Sequence, residues 1–154
     1  MFETAGEIVS SFSLDSCIKC GICDSVCPSG RNGGIHPDSF VFSMTEASPS
    51  VKLSEINADV WKCLMCHRCS SSCPEGIDVA GAIRSLRYDS ARSGSAPKRF
   101  VKTGSILTET GRAFPVNDIV NRKREALGLD PIATDAGTMA ELRTIMRRTG
   151  FCDE

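Results

Sequence analysis

An all-α fold is what this 154-residue chain predicts, and three observations carry the expectation. Strand-like alternation is scarce along its whole length. Apolar residues recur at helical spacing in Val79, Ala82, Ile83 and Leu86, and again in Met139, Leu142, Ile145 and Met146. Two cysteine runs, Cys17 to Cys27 and Cys63 to Cys73, are separated by 35 residues, enough to hold helices where a short β-connection would otherwise serve.

The runs come first in order and carry most of the information. Cys17-Ile-Lys-Cys20-Gly-Ile-Cys23-Asp-Ser-Val-Cys27-Pro28 is repeated 46 residues later as Cys63-Leu-Met-Cys66-His-Arg-Cys69-Ser-Ser-Ser-Cys73-Pro74. Three cysteines at intervals of three wrap around one point, so their sulfurs can occupy three corners of a cube. The fourth is followed by proline, which fixes its own φ and lacks an N–H, sending the chain away in a set direction. This is the run of bacterial-type ferredoxins, in which the fourth cysteine ligates the other cluster. The expectation is therefore two [4Fe–4S] clusters, one on Cys17, Cys20, Cys23 and Cys73, the second on Cys63, Cys66, Cys69 and Cys27. Crossed ligation would tie the two runs together and set the clusters side by side for electron exchange. Structural zinc has no use for a third and fourth cysteine at this spacing. A disulfide framework suits secreted chains, and a dithiol redox centre needs a single C-x-x-C.

Between the runs, Pro37-Asp38-Ser39 opens a short helix through Phe40, Val41 and Met44, ending before Ser48-Pro49. A segment from Ser54 to Trp61 leads into the second run. After Pro74, Asp78 is the expected N-cap of a helix reaching Ser93-Gly94. Three further helices follow: Pro97 to about Thr110, Val116 to Leu127, and Gly137 to Thr149 with Gly150 as its stop. Gly128-Leu129-Asp130-Pro131 is a break. The domains expected are an α-helical bicluster ferredoxin at residues 1–94 and a helical C-terminal extension at 95–154. The extension's helices are short and basic, so it is expected to pack on the core or on a partner subunit. Metal binding is expected to supply folding free energy around the runs.

Composition narrows the function classes. No apolar run approaches the ~20 residues a membrane helix needs, and the N-terminal Met1-Phe2-Glu3-Thr4-Ala5 lacks the pattern of an export signal. A cytoplasmic protein with no transmembrane segment is expected. The formal charge of −1 hides an asymmetry: residues 1–78 carry 5 Lys/Arg against 10 Asp/Glu, residues 79–154 carry 13 against 9. Such polarity suits docking between proteins better than nucleic-acid binding. No Gly-rich dinucleotide loop and no nucleophile–base pair is visible, so no catalytic residue is expected. Smaller features have modest readings. His67 reads as a surface position, Gly21 as a glycine allowing backbone N–H groups near a cluster, and Trp61 as a lid shielding a cluster. Cys152 reads as an unreactive spare thiol beside Asp153 and Glu154, and Arg122-Lys123-Arg124 as a solvated helix face or a patch for an acidic partner.

Beyond the cysteines, several stretches resemble one family, the soluble C-type component of heterodisulfide reductase. They are Cys27-Pro28-Ser29-Gly30-Arg31, Asp59-Val60-Trp61-Lys62-Cys63, Ile83-Arg84-Ser85-Leu86-Arg87, Arg124-Glu125-Ala126-Leu127-Gly128-Leu129 and Thr149-Gly150-Phe151. His67 and Arg68 depart from the aromatic and small polar residues expected there, which bears on a cluster's surroundings and not on its ligands. The resemblance implies an α-helical ferredoxin fold and a non-catalytic electron-transfer subunit. Electrons would pass from an A-type flavoprotein, which also holds iron–sulfur centres, to a B-type catalytic partner. The latter reduces the coenzyme M–coenzyme B heterodisulfide in methanogenesis, with hydrogenase or formate dehydrogenase in a larger complex. The alternative is the iron–sulfur subunit of a membrane-associated dehydrogenase of the fumarate reductase or glycerol-3-phosphate dehydrogenase type. Those usually carry further ferredoxin domains or cysteines.

Overall fold

A computed structural model describes residues 2, 4–52, 59–133 and 135–151. Among them the chain is helical and contains no strand; Thr4 and Lys52 form an isolated antiparallel bridge. Residues 1–96 and 97–154 form two compact units.

The first unit opens with α1, Ala5–Ser11. Thr4 and Glu7 cap it reciprocally: the Thr4 hydroxyl accepts the Glu7 N–H, and the Glu7 carboxylate accepts the Thr4 N–H at 3.0 Å. A 3-10 turn, Leu14–Ser16, leads to the first cysteine loop and the one-turn helix α2, Ile22–Ser25. α3 runs Pro37–Glu46, where the sequence places it, because proline at its first position is pre-set for the helix. Phe40, Val41 and Met44 form its buried face. The expected segment from Ser54 lies largely outside the described residues; from Asp59 the chain makes a second 3-10 turn, Val60–Lys62. The second cysteine loop and α4, Arg68–Ser71, follow.

α5, Val79–Arg92, is the spine of this unit. Asp78 caps it, accepting the Gly81 N–H at 2.9 Å. Val79, Ala80, Ala82, Ile83 and Leu86 are buried, joining Ile8, Leu14 and Met44 in one apolar core that reaches Cys69. Gly81 is there for space. A Cβ would lie 2.8 Å from the Phe12 ring and 2.3 Å from the Asp78 carboxylate.

The second unit holds α6 (Lys98–Thr110), α7 (Asp118–Ala126) and α8 (Ala136–Thr149). Asn117 caps α7 and Asp135 caps α8, while Gly111 and Gly150 end α6 and α8 in left-handed backbone. The Asn121 side chain brackets the Ile132 backbone, accepting its N–H at 2.9 Å and donating to its carbonyl at 3.4 Å. Of the apolar set expected on α8, Met146 is buried and Met139 and Leu142 are half-buried, but Ile145 is 58% exposed. At about 100° per residue, position 145 falls roughly 120° from 139 and off the stripe. Among the described residues of this unit only Met146 is buried. No helix among the described residues is long and apolar enough to cross a membrane.

Candidate iron–sulfur centres

The sequence repeat is also a backbone repeat. Each loop enters from a 3-10 turn, Leu14–Ser16 or Val60–Lys62, and leaves through a one-turn helix, α2 or α4. Between them the chain goes left-handed twice per copy. Lys19 (φ 57°) and Gly21 (φ 73°) correspond to Met65 (φ 52°) and His67 (φ 59°). These reversals curl the backbone, and each copy turns one amide onto its first cysteine. Lys19 N–H donates to Cys17 Sγ and Met65 N–H to Cys63 Sγ, both at 3.4 Å.

Two cavities follow. Cys17, Cys20, Cys23 and Cys73 line one. Cys63, Cys66, Cys69 and Cys27 line the other. Each draws three cysteines from one run and the fourth from the other. A set of four free sulfurs around one pocket is the donor chemistry a cubane cluster needs, so the residues fit the group. Each cavity has one exposed cysteine, Cys20 in the first and Cys66 in the second; the two buried cysteines, Cys27 and Cys69, both line the second. Each cavity therefore reaches the surface at one of its cysteines. Ile18 and Leu64, more than 60% exposed, stand at those two mouths. A wider open groove beside the first cavity includes Asp15, Asp38 and Phe42.

Burial, reinforced by the nearby Asp38 carboxylate, pushes the Cys23 thiol up to about 11, and burial likewise raises Cys69. Neither is a thiolate at neutral pH without metal, so loading must release protons. Asp78 is held below its ordinary value, first by the Ser70 hydroxyl, which donates at 2.7 Å, and then by the Gly81 amide.

Several residues that position the loops carry no sign of it in the sequence. Ser29 is buried: its hydroxyl donates to Lys62 O at 2.8 Å and accepts Ile35 N–H at 3.1 Å. It thereby ties the exit of the first run to the entry of the second. Ser70 does similar service, accepting Ala80 N–H at 3.0 Å while donating to Asp78. Arg87 reaches back from α5 to Val60 O at 2.8 Å and to Cys63 O. Trp61 is not the expected lid. It is not among the residues lining either cavity; its indole N–H donates to Ser90 Oγ at 3.3 Å and its ring lies 5.3 Å from the Arg87 guanidinium. Its geometry backs Arg87 onto the second loop. Gly21 lines the first cavity and has positive φ, a backbone conformation that favours glycine. His67 is exposed at the mouth of the second cavity, and Cys152 lies outside the described residues.

Comparison with known proteins agrees with this geometry. Residues 13–77 match the family model described as 4Fe-4S dicluster domain, which spans both runs. The C-type component of the ferredoxin/F420H2-dependent CoB-CoM heterodisulfide reductase of Methanosarcina acetivorans is 32% identical, over 98% of this chain and 96% of its own. The chain belongs to the family of heterodisulfide reductase C-type iron–sulfur proteins. Another member, from Methanosarcina mazei, is 31% identical with the same coverage. A Methanococcus maripaludis relative, the C2-type component of an H2/formate:CoB-CoM heterodisulfide,ferredoxin reductase, is 33% identical over 90% of this chain and 76% of its own. As a member of this family, the chain is an iron–sulfur electron-transfer component of an oxidoreductase complex, with a 4Fe-4S dicluster domain.

Proposed function

We propose that this chain is the non-catalytic relay of a cytoplasmic heterodisulfide reductase. It would hold two [4Fe–4S] clusters, with Cys17, Cys20, Cys23 and Cys73 around one and Cys63, Cys66, Cys69 and Cys27 around the other. The observation that carries this reading is the lining of the two cavities, each of which takes its fourth cysteine from the opposite run. When bound, such clusters supply reversible one-electron storage. The chain's own residues do the rest. Cys20 and Cys66 give each site an exposed edge for a partner, while Ser29 and Arg87 hold the two loops in fixed register.

The donor in this reading is an A-type flavoprotein and the acceptor a B-type catalytic partner. The acceptor reduces the coenzyme M–coenzyme B heterodisulfide in methanogenesis, with electrons drawn ultimately from hydrogen or formate through hydrogenase or formate dehydrogenase. The names of both relatives support that substrate; the Methanococcus maripaludis name supports hydrogen or formate as the source, whereas the Methanosarcina acetivorans name gives ferredoxin and F420H2. Residues 97–154, whose described helices bury little, would be ordered against the core or a partner subunit.

Anaerobic purification under an affinity tag tests the reading. The expected product is a brown protein with about eight iron and eight sulfide per chain, co-isolating with a flavoprotein and a cysteine-rich partner. Four iron per chain, or co-isolation with a quinone-reducing membrane anchor, would contradict it.

A further inference from the structure

The internal repeat allows a controlled comparison, because the same backbone is built twice with different charges around it. At the position one before the third cysteine the first copy has Ile22 and the second Arg68, and Arg68 lines the second cavity. Two residues after the fourth cysteine stand Ser29 and Glu75, and Glu75 lines the first cavity. Asp38, at the start of α3, also lines the first cavity. Behind the second loop lies Arg87, half-buried and hydrogen-bonded to the Cys63 carbonyl. One cation, Lys19, opposes the pattern on the first cavity; its ammonium lies 5.3 Å from the Phe42 ring centroid. Asp24 and His36, bonded at 2.9 Å, lie beside the Asp38 carboxylate but are not among the residues lining the first cavity, whose carboxylates are Asp38 and Glu75.

Hydrogen bonds to sulfur lean the same way. Both copies send an amide to their first cysteine, from Lys19 and Met65. The Gly30 N–H additionally donates to Cys27 Sγ at 3.4 Å, on the second cavity. Its repeat partner, Gly76 N–H, donates to the Cys73 carbonyl at 3.2 Å instead. Reduction adds an electron to an already anionic cluster. Cations and N–H···S bonds therefore raise its potential, while carboxylates lower it.

Building on the two-cluster reading, we propose that the chain is an electrically polarised relay. Asp38 and Glu75 lower the potential at the Cys17–Cys20–Cys23–Cys73 site, and Arg68, Arg87 and the Gly30 amide raise it at the Cys63–Cys66–Cys69–Cys27 site. A single electron therefore rests at the second site. The step is a one-electron transfer in which the first site is oxidised and the second reduced. No bond forms or breaks, and the electron enters from a low-potential one-electron donor protein at the Cys20 face and leaves at the Cys66 face.

Redox titration of the full-length, cluster-loaded chain followed by electron paramagnetic resonance tests this with two exposed substitutions. Asp38→Asn keeps the side-chain bond to the Ser39 amide and should move the lower of two couples upward. Arg68→Gln should move the higher couple downward, so either substitution narrows the gap. The proposal is overturned if Asp38→Asn moves the higher couple, if Arg68→Gln moves the lower, or if neither changes the gap. Iron and sulfide assays on the same samples separate this from the function reading. Four iron per chain would sink the two-cluster premise, whereas eight iron with unmoved couples would sink only the polarity.

Discussion

Left-handed backbone at Lys19, Gly21, Met65 and His67 shapes both cysteine loops, and glycine supplies it at one of those four positions. A side chain in that region costs roughly 1–2 kcal/mol, so the loops hold strain that the surrounding contacts must offset. Gly21→Ala is expected to cost about 1 kcal/mol from its positive φ, with no clash against the chain's own atoms. Gly34→Ala should cost more, since its Cβ would lie 2.1 Å from Ser29 Oγ and break the bridge to Lys62. Losing that bridge leaves buried partners unsatisfied, at about 1–3 kcal/mol. Anaerobic thermal melting of the two variants checks the order; a Gly21→Ala variant less stable than Gly34→Ala would refute it. Three cysteines of each run could be grouped from the sequence because their spacing lets the sulfurs converge, and the fourth came from the ferredoxin pattern; the same fours line the two cavities. Ser29 and Arg87 were not, because their partners are backbone carbonyls 33 and 24 residues away, which leave no mark in residue type. Lys19 and Met65 were equally hidden, both being ordinary helix formers.

At the level of elements, the helices that matter are those whose starts are chemically marked. Asp78 joins cap to site: it accepts from Gly81 N–H at the head of α5 and from Ser70 Oγ beside Cys69. Asp78→Ala should therefore cost about 1 kcal/mol for the cap and also loosen the second cysteine loop. The Asp78 carboxyl is held below its ordinary value of 3.8. Its contribution is thus fully present above that pH and is lost as the pH falls through the folded value. Denaturation of the wild type and Asp78→Ala should show a stability gap that is full at neutral pH and closes under acid. A gap that widens under acid would contradict the assignment. The caps and prolines made α3, α5 and α8 readable nearly to the residue. For α7 the sequence starts the helix at Val116, two residues before Asp118, because Asn117 is its true N-cap and holds Val116 outside. Ile145 fell off the buried stripe since spacing by three and four does not by itself fix which edge of a stripe is covered.

Across the whole molecule, the two runs depend on each other. Neither cavity is complete without a cysteine from the opposite run, and Ser29, Ser70 and Arg87 bind the pieces with backbone hydrogen bonds. The acidic bias of residues 1–78 and the basic bias of 79–154 accord with a protein that docks on protein partners. The paired substitutions Cys27→Ser and Cys73→Ser test the crossed architecture most directly, with spectra of each recorded beside the wild type. Cys27→Ser should perturb the cluster held by Cys63, Cys66 and Cys69, and Cys73→Ser the one held by Cys17, Cys20 and Cys23. If each substitution instead perturbs the cluster of its own run, the cysteines are not shared across the repeat and the account is wrong.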